Sequence, residues 1–282
     1  MSDDVIDLQG RVEQIASLAR EQRNKRRRIN HQTADFPVWP EAVRSAPNAI
    51  LRSALFGIVR KGKRPVLDGV ELVPAVKGVE IKVRSGVSLD QNDLDVWEEI
   101  VHWARKEDPG RRLEIPVRPF LETLGRKPGR PNRQWLYDAL ERLYRCEIFI
   151  RMEKEGIEFE GALIARLVIE KGKPILVQLD PYLPVLWEPG WTRQNLEHRR
   201  ALGQNQLAKW LHSFYGTHKK PLAYKVETLQ ALCGSRTKER KKFRQQLKTA
   251  ARLVATVTGW QMVLDENDLF HVIKHGPQVV DN

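Results

Sequence analysis

The sequence predicts an α+β fold of two tandem domains behind an N-terminal arm, and three observations support this prediction. A chain of 282 residues is long enough for two domains of ordinary size. Segments with apolar residues at helical spacing alternate with segments of β-type alternation, such as Val79, Ile81 and Val83. One order of elements, namely helix, helix, turn, helix and hairpin, occurs twice. The predicted bounds are 1–36 for the arm, 37–190 for the first domain and 191–282 for the second.

The arm is predicted from an apolar repeat followed by a basic run. The apolar residues follow the 3-4-3-4 spacing of a coiled coil: Val5, Leu8, Val12, Ile15 and Ala19. The basic run is REQRNKRRR at residues 20–28. About two heptads are too few for a stable coiled coil, which needs about three to four. A solvated disordered tail and a pairing segment therefore both remain open for the arm.

The helices of the first domain are predicted to follow a proline-punctuated linker at residues 37–47. The spacing of apolar residues predicts helices over 48–59, 92–106, 118–125 and 132–145. Gly125 is the expected end of the third helix, and Asn132 is the expected N-cap of the fourth. Trp97 and Trp135 are expected to be buried anchors of the second and fourth helices.

The strands are predicted from alternating apolar residues bounded by turn residues. In the first domain they are expected at 79–84, 146–153, 156–170 and 173–180, with turns at Gly156 and Gly172. In the second domain a hairpin is expected over 260–275, with its turn between Asp265 and Asp268.

The second domain is predicted to contain three helices before its hairpin, over 204–218, 223–234 and 235–257. Gly234 is the expected end of the second helix, and Ser235 is the expected cap of the third. Phe243 and Leu247 are expected to hold the third helix against its core. The same helix region carries eight Lys or Arg and one acid between Arg236 and Arg252. A helix with one apolar and one strongly basic face is therefore expected.

The positive charge of the chain is concentrated in the second domain. Between Arg193 and Arg252 there are fifteen Lys or Arg residues and three acidic residues. This excess of twelve equals the net charge of the whole chain, which is +12. Lys and Arg displace condensed counterions from phosphates, so a localised basic surface is typical of a polyanion-binding face. The alternative is a solvated basic surface that serves solubility alone.

A helix–turn–helix followed by a β-hairpin is the winged-helix plan, in which the second helix enters the DNA major groove. The sequence therefore predicts two winged-helix domains. The residues expected to contact DNA are Arg126, Lys127, Arg130, Asn132, Arg133, Gln134 and Tyr137 in the first domain. In the second domain they are Arg236, Lys238, Arg240, Lys241, Arg244, Gln245 and Lys248. Asp138 and Glu141 weaken the electrostatic argument for the first domain, which is expected to serve base recognition or protein contacts.

Three blocks of sequence resemble the TrfA family of plasmid replication initiators. They are WPEAVRSAPN with LRSALF, GVEIKVRSGVSLDQNDLDVWEEIVHWARK, and AYKVETLQALCGS. The resemblance spans about residues 37–260. It implies two winged-helix domains that bind direct-repeat (iteron) DNA at a plasmid origin and a role in plasmid copy control. It also implies opening of an AT-rich region, which would give contact with single-stranded DNA.

The same resemblance implies particular partners and a bacterial cytoplasmic location. The partners are the host initiator, the replicative helicase, the sliding clamp and a second copy of the chain, with dimers less active than monomers. Members of the family can carry a clamp-binding pentapeptide, with Gln first and an apolar-Phe pair last. The nearest string here is QTADF, from Gln32 to Phe36, which lacks the leucines. Whether it binds a clamp is left open.

Enzymatic functions are not expected from the sequence, nor is a cofactor or a metal. The string GIVRKGKR at residues 57–64 has the spacing of a phosphate-binding loop, but Arg64 stands where Ser or Thr should hold Mg²⁺. A nicking enzyme would need a His-x-His metal pair, which is absent from the sequence. The two cysteines, Cys146 and Cys233, support no disulfide framework, and no apolar run approaches the about 18 residues of a membrane span. The alternative function is a winged-helix transcriptional repressor.

Overall fold

The computed structural model of the protein describes residues 34–59, 62, 64–73 and 76–274. These residues form a mixed α+β fold with two hydrophobic cores. The first core is built from buried residues between Phe36 and Trp187, and the second from buried residues between Leu202 and Val272. Trp191, directly after the predicted domain boundary at residues 190 and 191, is partly buried and packs against the first core. The apolar repeat and basic run of the predicted arm lie outside the described residues.

The helices are α1 (Asn48–Leu51), α2 (Gln91–Ala104), α3 (Val117–Thr123), α4 (Arg130–Tyr144), α5 (Leu196–Ala201), α6 (Gln206–Gly216), α7 (Val226–Leu232) and α8 (Arg240–Thr258). A 3-10 helix spans Leu183–Trp187. The strands are β1 (Val43–Pro47), β2 (Phe56–Gly57), β3 (Val66–Glu71), β4 (Val79–Val87), β5 (Leu89–Asp90), β6 (Arg112–Ile115), β7 (Glu147–Met152), β8 (Ile157–Ala162), β9 (Arg166–Val168), β10 (Ile175–Gln178), β11 (Trp191–Asn195), β12 (Tyr224–Lys225), β13 (Gln261–Leu264) and β14 (Leu269–Ile273). Within the described residues, no helix is both long and apolar enough to cross a membrane.

The two halves of the chain share one order of elements and one sheet order. In the first half α2, β6, α3, α4 and the β9–β10 hairpin occur in this order, and the sheet order is β6-β10-β9. In the second half α6, β12, α7, α8 and the β13–β14 hairpin do the same, and the sheet order is β12-β14-β13. In both halves the strand before the second helix pairs antiparallel with the last strand of the hairpin.

The first half differs by one extra hairpin between its last helix and its small sheet. Strands β7 and β8 follow α4 directly, but they join β3 and β4 in a four-stranded antiparallel sheet of order β3-β4-β7-β8. Ile81 and Val83 on β4 are buried, as their alternation predicts. The hairpin that corresponds to β13–β14 of the second half is therefore β9–β10, with its turn near Gly172.

The helix predicted over 48–59 is wrong beyond its first turn. Helix α1 ends at Leu51, and β2 pairs with β5 in parallel a few residues later. The Ser53 hydroxyl donates to the Ile50 carbonyl oxygen at 2.8 Å and accepts from the Leu55 amide at 3.1 Å. Serine side chains that bond nearby backbone groups compete with the helical ladder. This local bonding accompanies the end of the helix.

Both predicted caps of the basic helices are also wrong. Helix α4 begins at Arg130 with Gly129 as its N-cap, and Asn132 lies inside the first turn. Helix α8 begins at Arg240 with Glu239 as its N-cap, so Ser235 lies outside the helix. In α4, Pro131 lies in the first turn, where its fixed φ suits a helix and its missing N–H breaks no bond.

The two halves are joined by a strand pair and by a buried network of charges. Strand β11 pairs antiparallel with β1. On α2, the Asp95 carboxylate accepts from Arg199 at 2.6 Å and from Lys209 at 2.5 Å. Burial alone would raise the pKa of Asp95, but these two cations hold it below its ordinary value. Arg199 also donates to the backbone carbonyl of Gln91 and to the Ser213 hydroxyl. The network fixes α5 and α6 of the second half against α2 of the first.

Candidate nucleic-acid interface

Helix α8 has two faces of opposite character. Its buried side chains recur at helical spacing and face the second core: Phe243, Leu247, Ala250, Ala251 and Val254. The predicted burial of Phe243 and Leu247 is confirmed. The side farthest from that core carries exposed Lys241, Gln245, Lys248 and Arg252. At 100° per residue these four positions fall within about 60° of one another, so they form one polar and basic stripe. Together these four residues are the outer stripe of α8.

The turn between α7 and α8 is held in place by side-chain hydrogen bonds. Gln230 on α7 donates to the Thr237 carbonyl oxygen at 2.6 Å, and the Thr237 hydroxyl donates to Gln246 on α8 at 3.2 Å. Arg236 and Lys238 are exposed on this turn. A groove of about 380 Å³ separates the turn and α8 from the start of α6. The predicted contact residues that precede α8 therefore lie on an ordered turn beside the helix.

The β13–β14 hairpin supplies an acid to the flank of α8 that sequence reasoning missed. The carboxylate of Asp268 contacts the guanidinium groups of both Arg240 and Arg244. The backbone carbonyl of Asp268 also accepts from the Val226 amide, the first residue of α7, at 3.0 Å. Asp268 therefore joins the hairpin, the start of α7 and the first turns of α8. Arg240 and Arg244 were predicted as DNA-contact residues, and the structure pairs both of them with this acid.

The turn of the same hairpin is shaped by Asp265, at the position predicted for it. Its carboxylate accepts from the backbone amides of Asn267 at 2.9 Å and Leu269 at 2.8 Å. It also contacts His271 Nε2 at 2.8 Å. The hydrogen bond from His271 and those from the two backbone amides lower the pKa of Asp265. Asp265 thus orders the turn internally, whereas Asp268 points to α8.

In the first half, the turn between α3 and α4 is built around Arg126. Its guanidinium lies over the ring of Trp135, 3.4 Å from the ring centre, and donates to Asn132 Oδ1 at 3.3 Å. Asn132 in turn donates to the Lys127 carbonyl oxygen at 2.8 Å. Trp135 is half-buried beneath Arg126, so the prediction that it is a buried anchor is wrong, whereas Trp97 is fully buried as predicted. Arg126 and Asn132 serve to hold this turn together.

The other predicted contact residues of the first half differ in exposure. Lys127, Arg130, Arg133 and Gln134 are exposed, and Tyr137 is half-buried. Gln134 donates to Asp138 at 2.8 Å, which occupies one of its amide hydrogens. The basic surface of the first half is therefore smaller than that of α8 and includes the exposed acids Asp138 and Glu141.

Residues 203–206 of the second half lie between the two predicted contact segments. Gly203 and Gln204 line a cavity of about 150 Å³ together with Arg126 and Trp135. Asn205 and Gln206, the next two residues, line the groove beside α8. On α5, Arg200 donates to the Thr123 carbonyl oxygen at 2.8 Å, at the end of α3. The α3–α4 turn and α8 are thus placed on either side of one short stretch of chain.

Some of the cations counted in the basic region do not belong to its surface. Arg199 and Lys209 are buried and paired with Asp95. Conversely, Arg252 and Lys242 are exposed on α8 and were not among the predicted contact residues. Arg252 follows Lys248 at helical spacing, and this signal was available in the sequence.

The described residues of the two strings that suggested other functions make structural contacts. Gly57 ends strand β2, and Arg64 bonds Asp90 at 2.6 Å and Asp93 at 3.0 Å, while residues 60, 61 and 63 lie outside the described part. Phe36, the last residue of the QTADF string, is buried and packs edge-on against Trp187, with ring centres 5.0 Å apart. Gln32 lies outside the described residues.

Comparison with known proteins identifies the family. A family model described as "TrfA protein" matches residues 3–274. The chain belongs to the TrfA family. A relative described as plasmid replication initiator protein TrfA, from Escherichia coli, is 26% identical over 220 residues. That match covers 76% of this chain and 57% of the relative, so this chain aligns with less than two thirds of the relative's length.

Two solved structures share the fold of this TrfA-family chain. A crystal structure of domains 2 and 3 of RctB has a TM-score of 0.53 and 12% sequence identity, and covers 80% of this chain and 95% of that one. A second, selenomethionine-derivative structure of the same domains has a TM-score of 0.55 and 14% identity, and covers 81% and 98%. At this level of identity the likeness concerns the fold, and it extends across both halves of the chain.

Proposed function

We propose that this TrfA-family chain is a plasmid replication initiator that binds direct-repeat DNA at an origin through two winged-helix domains. In this proposal α3 and α4 with the β9–β10 hairpin form the first unit, and α7 and α8 with the β13–β14 hairpin form the second. The relative from Escherichia coli is named as a plasmid replication initiator, which supports the biological role. The shared order of elements in both halves supports the two units.

The outer stripe of α8 is the observation that carries the DNA-binding part of the proposal. Its four side chains are exposed, include Lys241, Lys248 and Arg252, and contain no acid. Gln245 lies among them, and a glutamine amide can bond an adenine edge with both its donor and its acceptor. A helix about 10–12 Å in diameter with side chains matches the major groove. The lysines fit phosphates, and Gln245 and Arg252 have the donors needed for base edges.

The first half is proposed to add part of the sequence recognition and to form a self-association surface. Its exposed contact residues include Arg133 and Gln134, but two acids share their helix, so it contributes less electrostatic affinity. One surface cannot hold DNA and a second protomer together, so dimerisation and binding of a single repeat are expected to compete. Such linked equilibria are coupled by about 1–3 kcal/mol.

The remaining steps follow as proposals from the family. They are opening of an AT-rich segment with single-stranded DNA contact, and recruitment of the host initiator, the replicative helicase and the sliding clamp. Opening would be driven by binding energy and DNA deformation, without an enzymatic step of the chain itself. A clamp contact through Gln32 and Phe36 would require the Phe36 side chain to leave the first core.

The proposal is tested with the full chain and the direct-repeat duplex of its own plasmid origin. The chain supplied in trans should support replication of a plasmid that carries only this origin fragment. Analytical ultracentrifugation with a duplex of one repeat should show one protomer bound and the dimer fraction reduced.

Two results would count against this proposal. Failure of the origin fragment to replicate, although the chain binds it, would remove the initiator role. A dimer that binds one repeat with undiminished affinity and stays a dimer would favour a symmetric repressor instead.

A further inference from the structure

The carboxylate of Asp268 is held by two arginines at the edge of the basic helix α8. Its carboxylate contacts Arg240 and Arg244, which are one helical turn apart on the same flank of α8. The Asp268 side chain is 18% exposed, whereas the Arg240 side chain is 57% exposed. The Arg244 side chain is 30% exposed, so a ligand can reach both guanidinium groups from the solvent side of α8, whereas the carboxylate is mostly covered by the hairpin.

A pair of guanidinium groups that converges on one carboxylate is also suited to a phosphate. Arginine forks present parallel N–H donors that match carboxylate and phosphate geometry alike. The flank of α8 beside the hairpin adjoins the outer stripe, because Arg244 and Lys248 are one turn apart on the helix. A DNA backbone that follows the outer stripe would therefore pass close to these arginines.

We propose that Arg240 and Arg244 form a binding site for a DNA backbone phosphate, and that Asp268 occupies this site in the free protein as an internal competitor. The inference rests on the proposed DNA-binding function and adds to it a site and its regulation. When DNA binds, a phosphate replaces the Asp268 carboxylate on the two arginines. Because the ion pair between Asp268 and the arginines must first break, it lowers the affinity for every duplex alike. The two arginines then supply affinity that is independent of sequence, while base recognition falls to the outer stripe.

The backbone of Asp268 allows substitutions that remove only the carboxylate charge. Asp268 has φ +62°, in the left-handed region that Asn and Gly adopt more readily than other residues. Its carbonyl bond to Val226 is a backbone contact and does not depend on the side chain. Asp268→Asn and Asp268→Gly therefore both leave this turn able to form.

Glu266 offers a matched control in the same hairpin turn. It is exposed, two residues from Asp268. Glu266→Gln changes the net charge by the same +1, and it leaves the Asp268–arginine pair in place. Any difference in DNA affinity between Glu266→Gln and Asp268→Asn is therefore due to the loss of the Asp268–arginine ion pair and not to the change in net charge.

The experiment measures fluorescence anisotropy of two labelled duplexes, the origin repeat and a scrambled sequence of equal length, over a series of salt concentrations. Asp268→Asn should bind both duplexes on the order of tenfold more tightly, by a similar factor for each, since phosphate contacts carry no sequence information. The slope of log affinity against log salt should steepen by about 1 relative to Glu266→Gln. In the Arg240→Gln/Arg244→Gln background, Asp268→Asn should give no gain.

The outcomes separate this inference from the function on which it rests. Equal behaviour of Asp268→Asn and Glu266→Gln would overturn the competitor role, as would a gain that survives without the arginines. A loss of affinity for the origin repeat alone would also overturn it, since Asp268 would then orient the arginines toward base edges. If Asp268→Asn melts at a lower temperature than the wild type, Asp268→Gly replaces it in the same comparison. A wild-type chain that binds neither duplex would refute the DNA-binding function itself.

Discussion

Removal of the Asp95 carboxylate should destabilise the protein strongly because it leaves two buried cations without their partner. Asp95 is the anion that holds Arg199 and Lys209, whose side chains are only 3% and 6% exposed. Asp95→Asn keeps the size of the side chain and one hydrogen-bond acceptor while it removes the charge. The substitution therefore tests the charge balance of the network that joins the two halves.

The expected magnitude follows from the burial of the two cations. Breaking a buried ion pair by removing one partner costs about 3–5 kcal/mol. For a chain of this size each 1 kcal/mol lowers the melting temperature by about 2–4 °C, which gives a total decrease of about 6–20 °C. Arg199 also donates to the Ser213 hydroxyl and to the Gln91 carbonyl oxygen. Because these two hydrogen bonds remain in the variant, the loss of stability should lie toward the lower end of the range.

Thermal unfolding followed by circular dichroism and tryptophan fluorescence would measure the effect. The matched control is Glu122→Gln, which removes the same type of charge from an exposed ion pair. In that pair the Arg118 side chain is 79% exposed and the Glu122 side chain is 49% exposed. Exposed pairs at this helical spacing contribute about 0.3–0.5 kcal/mol, so the control should melt within about 2 °C of the wild type. If Asp95→Asn also melts within about 2 °C of the wild type, the inference that this network stabilises the joint is refuted.

Two further predictions concern a core contact and a buried acid. Leu247→Ala should lower the free energy of unfolding, measured in urea, by about 2–5 kcal/mol. The control Leu253→Ala, on the same helix but 38% exposed, should lower it by less than about 1 kcal/mol. Equal losses in the two variants would show that the buried face of α8 is wrongly assigned. Burial raises the pKa of Glu98 to about 7 from its ordinary 4.5. The folded form therefore keeps a proton that the unfolded chain releases above pH 4.5, and the contribution of Glu98 to the free energy of unfolding should fall by about 3 kcal/mol as pH rises from 4.5 through 7. In urea titrations the wild type should therefore lose about 3 kcal/mol relative to Glu98→Gln between pH 5 and pH 8, because the other titrating groups contribute alike to both proteins. A difference between the two proteins that does not change with pH would contradict the assignment.

The parts of the site that depend on local spacing could be predicted from the sequence. The two faces of α8 follow from apolar residues three and four positions apart, so Phe243 and Leu247 are buried and Lys241 is exposed as their spacing requires. The hairpin turn at Asp265 and Asp268 follows from turn chemistry of the same kind. Each of these features is determined by neighbours within one or two turns of chain.

Features that depend on contacts between distant segments could not be predicted in this way. Arg199 and Lys209 looked like surface cations, and their burial requires Asp95, which lies 104 and 114 residues away. The pairing of Asp268 with Arg240 spans 28 residues and requires the hairpin to fold back on α8. Long-range pairs of this type carry no periodic signal, so burial and partnership of a charged residue emerge only from the fold.

The central claim, that the outer stripe of α8 contacts DNA, is tested most directly by removing two of its lysines. Lys241→Ala/Lys248→Ala is compared with Lys77→Ala/Lys154→Ala, which removes two exposed lysines from turns of the four-stranded sheet. Both variants lower the net charge by two. The assay is an anisotropy titration with the origin repeat at several salt concentrations. The first variant should bind at least about tenfold more weakly than the wild type, and its slope of log affinity against log salt should be smaller by about 1.8. The second variant should keep its slope within about 0.5 of the wild-type slope. Equal slopes and equal affinities for the two variants would contradict the claim that α8 lies on DNA.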